Sequence, residues 1–373
     1  MIYFDNAGTT IPSKNALNLA QKFNNELFFN PSTLYRGGLS CSREIKVAKE
    51  SILKNLSTLN HEVVFTSCGS ESDNMAIFCA IKRGVFVTTK GEHSAVYKSF
   101  CELKNRGINI AFIDLNDDGS VNTFSLYDYV KNNPVDFVSI IHVNNETGAI
   151  NDINAIAKQI KSINKKIIFH ADGVQAYGKI PYKLSQDVDL YSISAHKINA
   201  LKGVGALIKR KGLNISPLIF GGGQENGLRS GTENLFGIKV FEYAGNEKYS
   251  SIKENYQKIQ HINQYLRDNL DKTLFKIISG ENSSPYILTV SALGLRGEVI
   301  MHALEDQDLI VGNGSACSSK NRFSRVLEAC GYKNDVLDGV IRLSFSSDST
   351  MEEAVKALAI LNETVKKLKG ILN

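Results

Sequence analysis

No apolar run in these 373 residues comes near the roughly 18 that suggest a membrane span. The first residues show neither a basic stretch ahead of an apolar one nor a lipidation signal, so the chain reads as cytoplasmic. The six cysteines, at 41, 68, 79, 101, 317 and 330, form no C-x-x-C pair and no Cys/His grouping at zinc-finger spacing, so no metal site is expected. Internal repeats and low-complexity tracts are also missing. The 43 basic and 38 acidic side chains are interspersed, which makes the net charge of +5 a mild field and gives no sign of direct nucleic-acid binding.

What is present is a globular composition. At 43% hydrophobic the chain can bury a large core, and its length allows two domains. Between about residues 60 and 210, β-branched or aromatic runs alternate with amphipathic segments. The runs are Val63–Phe65, Val85–Val87, Ile110–Ile113, Phe137–Ile141, Ile167–Phe169 and Leu190–Ile193. Such alternation predicts βα units and a mainly parallel sheet covered on both faces. Residues 236–271 read as one long helix with Ile259, Ile262, Leu266 and Leu270 on a buried face. A strand at Tyr286–Val290 follows. Thr350 and Glu353 stand at capping-box spacing ahead of a last helix that repeats Val355, Leu358, Leu361, Val365 and Leu368. The expected division is a large domain over 15–250 and a smaller α/β domain from 1–14 and 251–373.

The chemistry-bearing residues gather where such strands end, which is where open parallel sheets bind ligands. After Val63–Thr66 come Ser67-Cys68-Gly69-Ser70 and an apolar helix, a turn suited to a phosphate. Any βα turn with a good cap looks similar, so alone it says little. The run Ile167–Ala171 ends in Asp172, and the next ends in Ser194-Ala195-His196-Lys197. A lysine there is costly to bury without a partner, and a desolvated lysine is what Schiff-base chemistry requires. Cys79, Cys101 and Cys330 sit in apolar periodic stretches and read as small buried residues. Cys317 lies instead among Gly312-Asn313-Gly314-Ser315-Ala316 and Ser318-Ser319, a setting for an accessible, reactive thiolate. His142 and His170, inside apolar runs, read as core histidines.

Ser192–Lys197, with Asp172 and Gln175 before it and Gly314–Cys317 after it, resembles the cysteine desulfurases, pyridoxal phosphate (PLP) enzymes of fold type I. The likeness also covers Asp5–Thr10, Asn30-Pro31-Ser32, Glu92-His93, Val143–Gly148, Gly221–Glu225, Arg229–Thr232 and Ile341-Arg342. It implies an α/β fold with a mainly parallel, seven-stranded type of sheet and a smaller domain. It further implies that Lys197 is joined to the cofactor, Asp172 pairs with the ring nitrogen and Gln175 bonds the ring hydroxyl. Gly69, Ser70, Ser194 and His196 hold the phosphate, with Thr232 reaching across a homodimer. His93 stacks on the ring and shuttles protons. Arg342 clamps the carboxylate of L-cysteine, helped by Asn145 and Asn30. Cys317 takes the sulfur as a persulfide for an acceptor protein, in iron–sulfur cluster assembly or tRNA thiolation. Tyr35, Leu201 and Ser346–Thr350 depart from the family pattern. The rival readings are a selenocysteine lyase, a related class V aminotransferase, and a non-catalytic scaffold that keeps only the fold.

Overall fold

The computed structural model describes residues 1–80, 84–313 and 323–372, so Cys317 lies outside the described residues. Among those residues the chain opens on strand β1 (Ile2–Phe4). Seven strands follow in the first half: β2 (His61–Thr66), β3 (Val85–Thr89), β4 (Ile110–Ile113), β5 (Val135–Ile141), β6 (Ile168–Asp172), β7 (Leu190–Ser194) and β8 (Gly205–Arg210). The second half adds β9 (Phe275–Ile277), β10 (Ile287–Ala292), β11 (Leu309–Asn313) and β12 (Val340–Ser344).

The large sheet runs β2-β8-β7-β6-β5-β3-β4. All its strands are parallel except β8, which is antiparallel to both β2 and β7. Successive side chains on a strand point to opposite faces. In β2, Val63 and Phe65 accordingly join one buried cluster and Val64 another, which leaves both faces of the sheet covered by helices. On the second face Phe86 and Phe137 stack with ring centroids 4.9 Å apart. The strand β8 is absent from the sequence-derived series: its apolar stretch is only Ala206-Leu207-Ile208 before Lys209 and Arg210.

The second sheet runs β1-β11-β12-β10-β9 and is antiparallel apart from the β1–β11 pair. The single helix expected over 236–271 is two, Leu235–Ser250 and Ile252–Asn269, with the break at Ser251. Phe241 and Ala244 on the first pack into the core of the large sheet, whereas Ile259, Ile262 and Leu266 on the second pack against the small one. One straight rod cannot aim its apolar stripe at both. The last helix, Met351–Leu372, begins as the capping box predicts: Thr350 N donates to Glu353 Oε2 at 2.9 Å and Glu353 N to Thr350 Oγ1 at 3.2 Å. Its buried stripe is Ala354, Ala357, Leu358, Leu361 and Val365, while Val355, expected inside, is exposed because it sits off that stripe.

Candidate active site

The carboxyl ends of β2, β6 and β7 converge on a cavity of about 310 Å³, and β12 borders it from the small sheet. Lined by Gly69, Ser70, His93, Asn145, Asp172, Gln175, Ser194, His196, Lys197 and Arg342, it brings together most of the residues singled out in the sequence. Cys68 introduces the helix Gly69–Cys79 in extended backbone and gives it no side-chain cap. The positive end of that helix therefore faces the cavity. A Cβ on Gly69 would lie 2.7 Å from Val174 Cγ2 and 3.3 Å from Ser194 Cβ, so only glycine lets the turn approach β7 this closely.

Lys197 follows β7 in a short 3-10 turn. Its Nζ donates to Ala7 O and Gly8 O, both at 2.6 Å, so the N-terminal segment closes one wall of the cavity. Asp172 ends β6, where its Oδ1 accepts from Val174 N at 2.9 Å. Burial pushes its carboxyl up to about 6, against the opposing pull of that N–H and of Lys197. Gln175 Nε2 donates to Ala7 O at 2.9 Å. His93 caps the next helix, accepting from Ala95 N at Nδ1 (3.2 Å), and burial with Lys197 and Arg325 nearby lowers its imidazole to about 4. Burial, then Lys197, likewise lowers His196 to about 4, and its Nδ1 lies 3.1 Å from Thr9 Oγ1. Both rings are thus neutral at pH 7. Arg342, in β12, donates from Nη1 to Asn145 O and from Nη2 to Asp5 Oδ1, each at 2.8 Å.

Asn30 and Thr232 are not brought in. Asn30 is exposed and accepts from Ser32 N at 2.9 Å within its own turn, and Thr232 is exposed beyond the cavity. His142 and His170 are buried, and burial lowers both rings to about 3. Cys79 and Cys330 are buried as expected, whereas Cys101 is half-buried, a correction that follows from its place at the margin of its helix's apolar face.

Sequence reasoning missed Asp73 and Glu146. Asp73, 1% exposed, sits on the helix one turn beyond Gly69, and one of its oxygens is 3.6 Å from His170 Nε2. Nothing local marks it out, because it follows Ser70, Glu71 and Ser72 in the polar first turns of that helix. Glu146 lines the cavity and accepts from Ser324 Oγ.

The implied cofactor fits these residues. Among the described residues, buried Ser194 Oγ has no hydrogen-bond partner, and it is placed beside the helix end, as a phosphate acceptor would require. A buried Asp172 held up to about 6 suits the proton-bearing nitrogen of a pyridine ring. Arg342 Nε, buried and without a hydrogen-bond partner among the described residues, leaves the guanidinium able to take a carboxylate.

A family model described as aminotransferase class-V matches residues 2–358. The chain is 33% identical over 385 residues to a cysteine desulfurase of Nostoc sp., covering 100% of this chain and 94% of that protein. It is 34% identical over 380 residues to the cysteine desulfurase IscS of Dictyoglomus turgidum, covering 99% and 96%. Among solved structures, a NifS-like protein superposes with a TM-score of 0.91 at 31% identity, over 98% of this chain and 99% of that one. With matches that span the whole chain and a cavity whose residues suit the cofactor, this chain belongs to the cysteine desulfurases of the class-V aminotransferase family.

Proposed function

We propose that this protein is a PLP-dependent cysteine desulfurase that moves the sulfur of L-cysteine onto Cys317 as a persulfide and leaves L-alanine. The observation that carries the reading is the convergence of Lys197, Asp172, Gln175, His93 and Arg342 on one cavity. Lys197 would hold PLP, Asp172 and Gln175 its ring, and Gly69, Ser70, Ser194 and His196 its phosphate. Bound there, the cofactor supplies an electron sink for charge left at the substrate Cα.

The chain's own groups do the rest. Arg342 orients the substrate by its carboxylate. Lys197 Nζ, once released from the cofactor, takes the Cα proton, and neutral His93 can accept and return a proton beside it. The Cys317 thiolate attacks the substrate sulfur: the S–S bond forms as the C–S bond breaks, and the electron pair of the broken bond ends in a C–H bond of alanine. No outside oxidant is needed.

In this reading the persulfide passes to an acceptor protein, with iron–sulfur cluster assembly and tRNA thiolation as its two destinations; a relative named IscS supports the first. The protein acts as a cytoplasmic homodimer. Thr232 is exposed, three residues after the Arg229 that pairs with Glu71 at 2.9 Å, and that exposure supports a reach toward a partner's phosphate site. Among the described residues no helix is long and apolar enough to cross a membrane.

The test is to incubate the yellow holoprotein with L-cysteine and quantify alanine and transferable sulfur. Equal amounts of both support the reading, and alanine from selenocysteine alone sinks it in favour of a lyase. Sedimentation with and without PLP checks the dimer.

A further inference from the structure

Lys179 is 4% exposed, an unusual place for an amine. It lies in the helical turns that follow β6, where Tyr177 N bonds Gly173 O at 3.0 Å and Ile180 N bonds Ala176 O at 3.1 Å. That geometry sets residues four apart side by side. Lys179 Nζ donates to Gln175 Oε1 at 2.6 Å. No carboxylate pairs with it among the described residues, and its charged neighbours are Lys197, Arg342 and Lys248. Burial, then these three cations, hold its amine well below the usual lysine range.

The bond matters because of what the other end of the amide does. Gln175 Nε2 donates to Ala7 O at 2.9 Å, and the same carbonyl accepts from Lys197 Nζ at 2.6 Å. A single oxygen therefore draws the amide nitrogen and the cofactor lysine to one place. Turning the amide over would set Oε1 against the Ala7 carbonyl, losing that bond, and Nε2 against Lys179, losing the second whenever the amine carries its proton. The orientation of a glutamine amide is ordinarily open to exchange, but here a donor on one side and an acceptor on the other decide it.

We propose that Lys179 is a positioning residue: by holding Gln175 Oε1 it keeps Nε2 as the edge presented to the ring oxygen of the cofactor. The proposal rests on the reading that PLP is joined to Lys197 with its ring oxygen at Gln175. An anionic ring oxygen holds the proton of the neighbouring linkage to Lys197, and a second donor on that oxygen weakens the hold. Losing the donor therefore raises the pH at which the linkage releases its proton.

The experiment is a pH titration of the visible absorption of the holoproteins of wild type, Lys179→Met, Gln175→Leu and the double variant. Methionine matches the four-atom stem of lysine and removes only the donor group. The expected result is an upward shift of about 0.5–1 pH unit for each single variant, the size of one hydrogen bond, and no further shift in the double variant. Cofactor dissociation should quicken in the same three variants. An unshifted Lys179→Met overturns the proposal, as do additive shifts, which would mean that Lys179 acts by its charge and not through Gln175. If the wild type itself has no visible band and borohydride fixes nothing to Lys197, it is the underlying reading that fails.

Discussion

Arg342 Nη2 lies 2.8 Å from Asp5 Oδ1, so the guanidinium assigned to the substrate carboxylate already holds a carboxylate from the other end of the chain. A Cβ on Gly312 would come within 2.5 Å of Asp5 Oδ1 and 2.8 Å of Arg342 Nη2, so glycine at that position on β11 leaves room for the pair. In the proposed role, a substrate carboxylate would meet a side chain whose rotamer is set in advance, and orienting it would cost less entropy.

Arg342→Ala should therefore raise KM for L-cysteine by about 10–100-fold, the value of charge-assisted hydrogen bonds, while the visible band of the bound cofactor stays unchanged. Steady-state kinetics alongside absorption spectra check this. An unchanged KM would remove Arg342 from substrate binding.

Lys197→Ala should abolish covalent attachment of PLP while the chain still folds. Lys197 Nζ donates to the backbone carbonyls of Ala7 and Gly8, and neither group is left charged when it is removed. Borohydride reduction and peptide mapping of the wild type should label Lys197, and a label on another lysine counts against the assignment.

Cys317→Ser should retain PLP and the spectral change on adding L-cysteine, yet lose persulfide and sulfide, because an unactivated hydroxyl is a poor nucleophile toward sulfur. Cys330→Ala is the control. Cys330 is buried and its thiol is pushed up to about 12, chiefly by burial, so it cannot supply a thiolate near neutral pH. Sulfide release at the wild-type rate from Cys317→Ser would leave the lyase as the better reading.

Glu92 makes stability depend on pH. It is fully buried, its Oε1 accepts from Thr89 Oγ1 at 2.8 Å and Ile141 N at 3.1 Å, and burial raises its carboxyl to about 8. A raised acid keeps its proton in the folded state after the unfolded chain has released it. Its contribution to stability is therefore fully present below about 4.5, declines as pH rises through the window up to about 8, and stays low above it. Glu92→Gln, which keeps the Oε1 acceptor, should flatten the fall in melting temperature between pH 5 and 8 by calorimetry. A slope identical to the wild type would show that Glu92 is already ionised in the fold.

The sequence by itself determined six of the seven strands of the large sheet and the last helix cap, and its likeness to the cysteine desulfurases pointed to Gly69, His93, Asp172, Gln175, Lys197 and Arg342. The strands and the cap are local signals: alternating apolar runs and capping spacing. Only the tertiary structure decided which distant segments meet. Strand β8 pairs antiparallel between β2 and β7, and nothing in its three apolar residues sets that direction. The 236–271 segment breaks because two cores claim its two halves. Asp73, Glu146 and Lys179 look ordinary along the chain, and they become informative only when burial removes their water, with Glu146 accepting from Ser324, Lys179 donating to Gln175 and Asp73 set 3.6 Å from the neutral ring of His170. Desolvation and partnership are properties of three-dimensional surroundings, so a residue whose role depends on them stays unreadable until the chain folds around it.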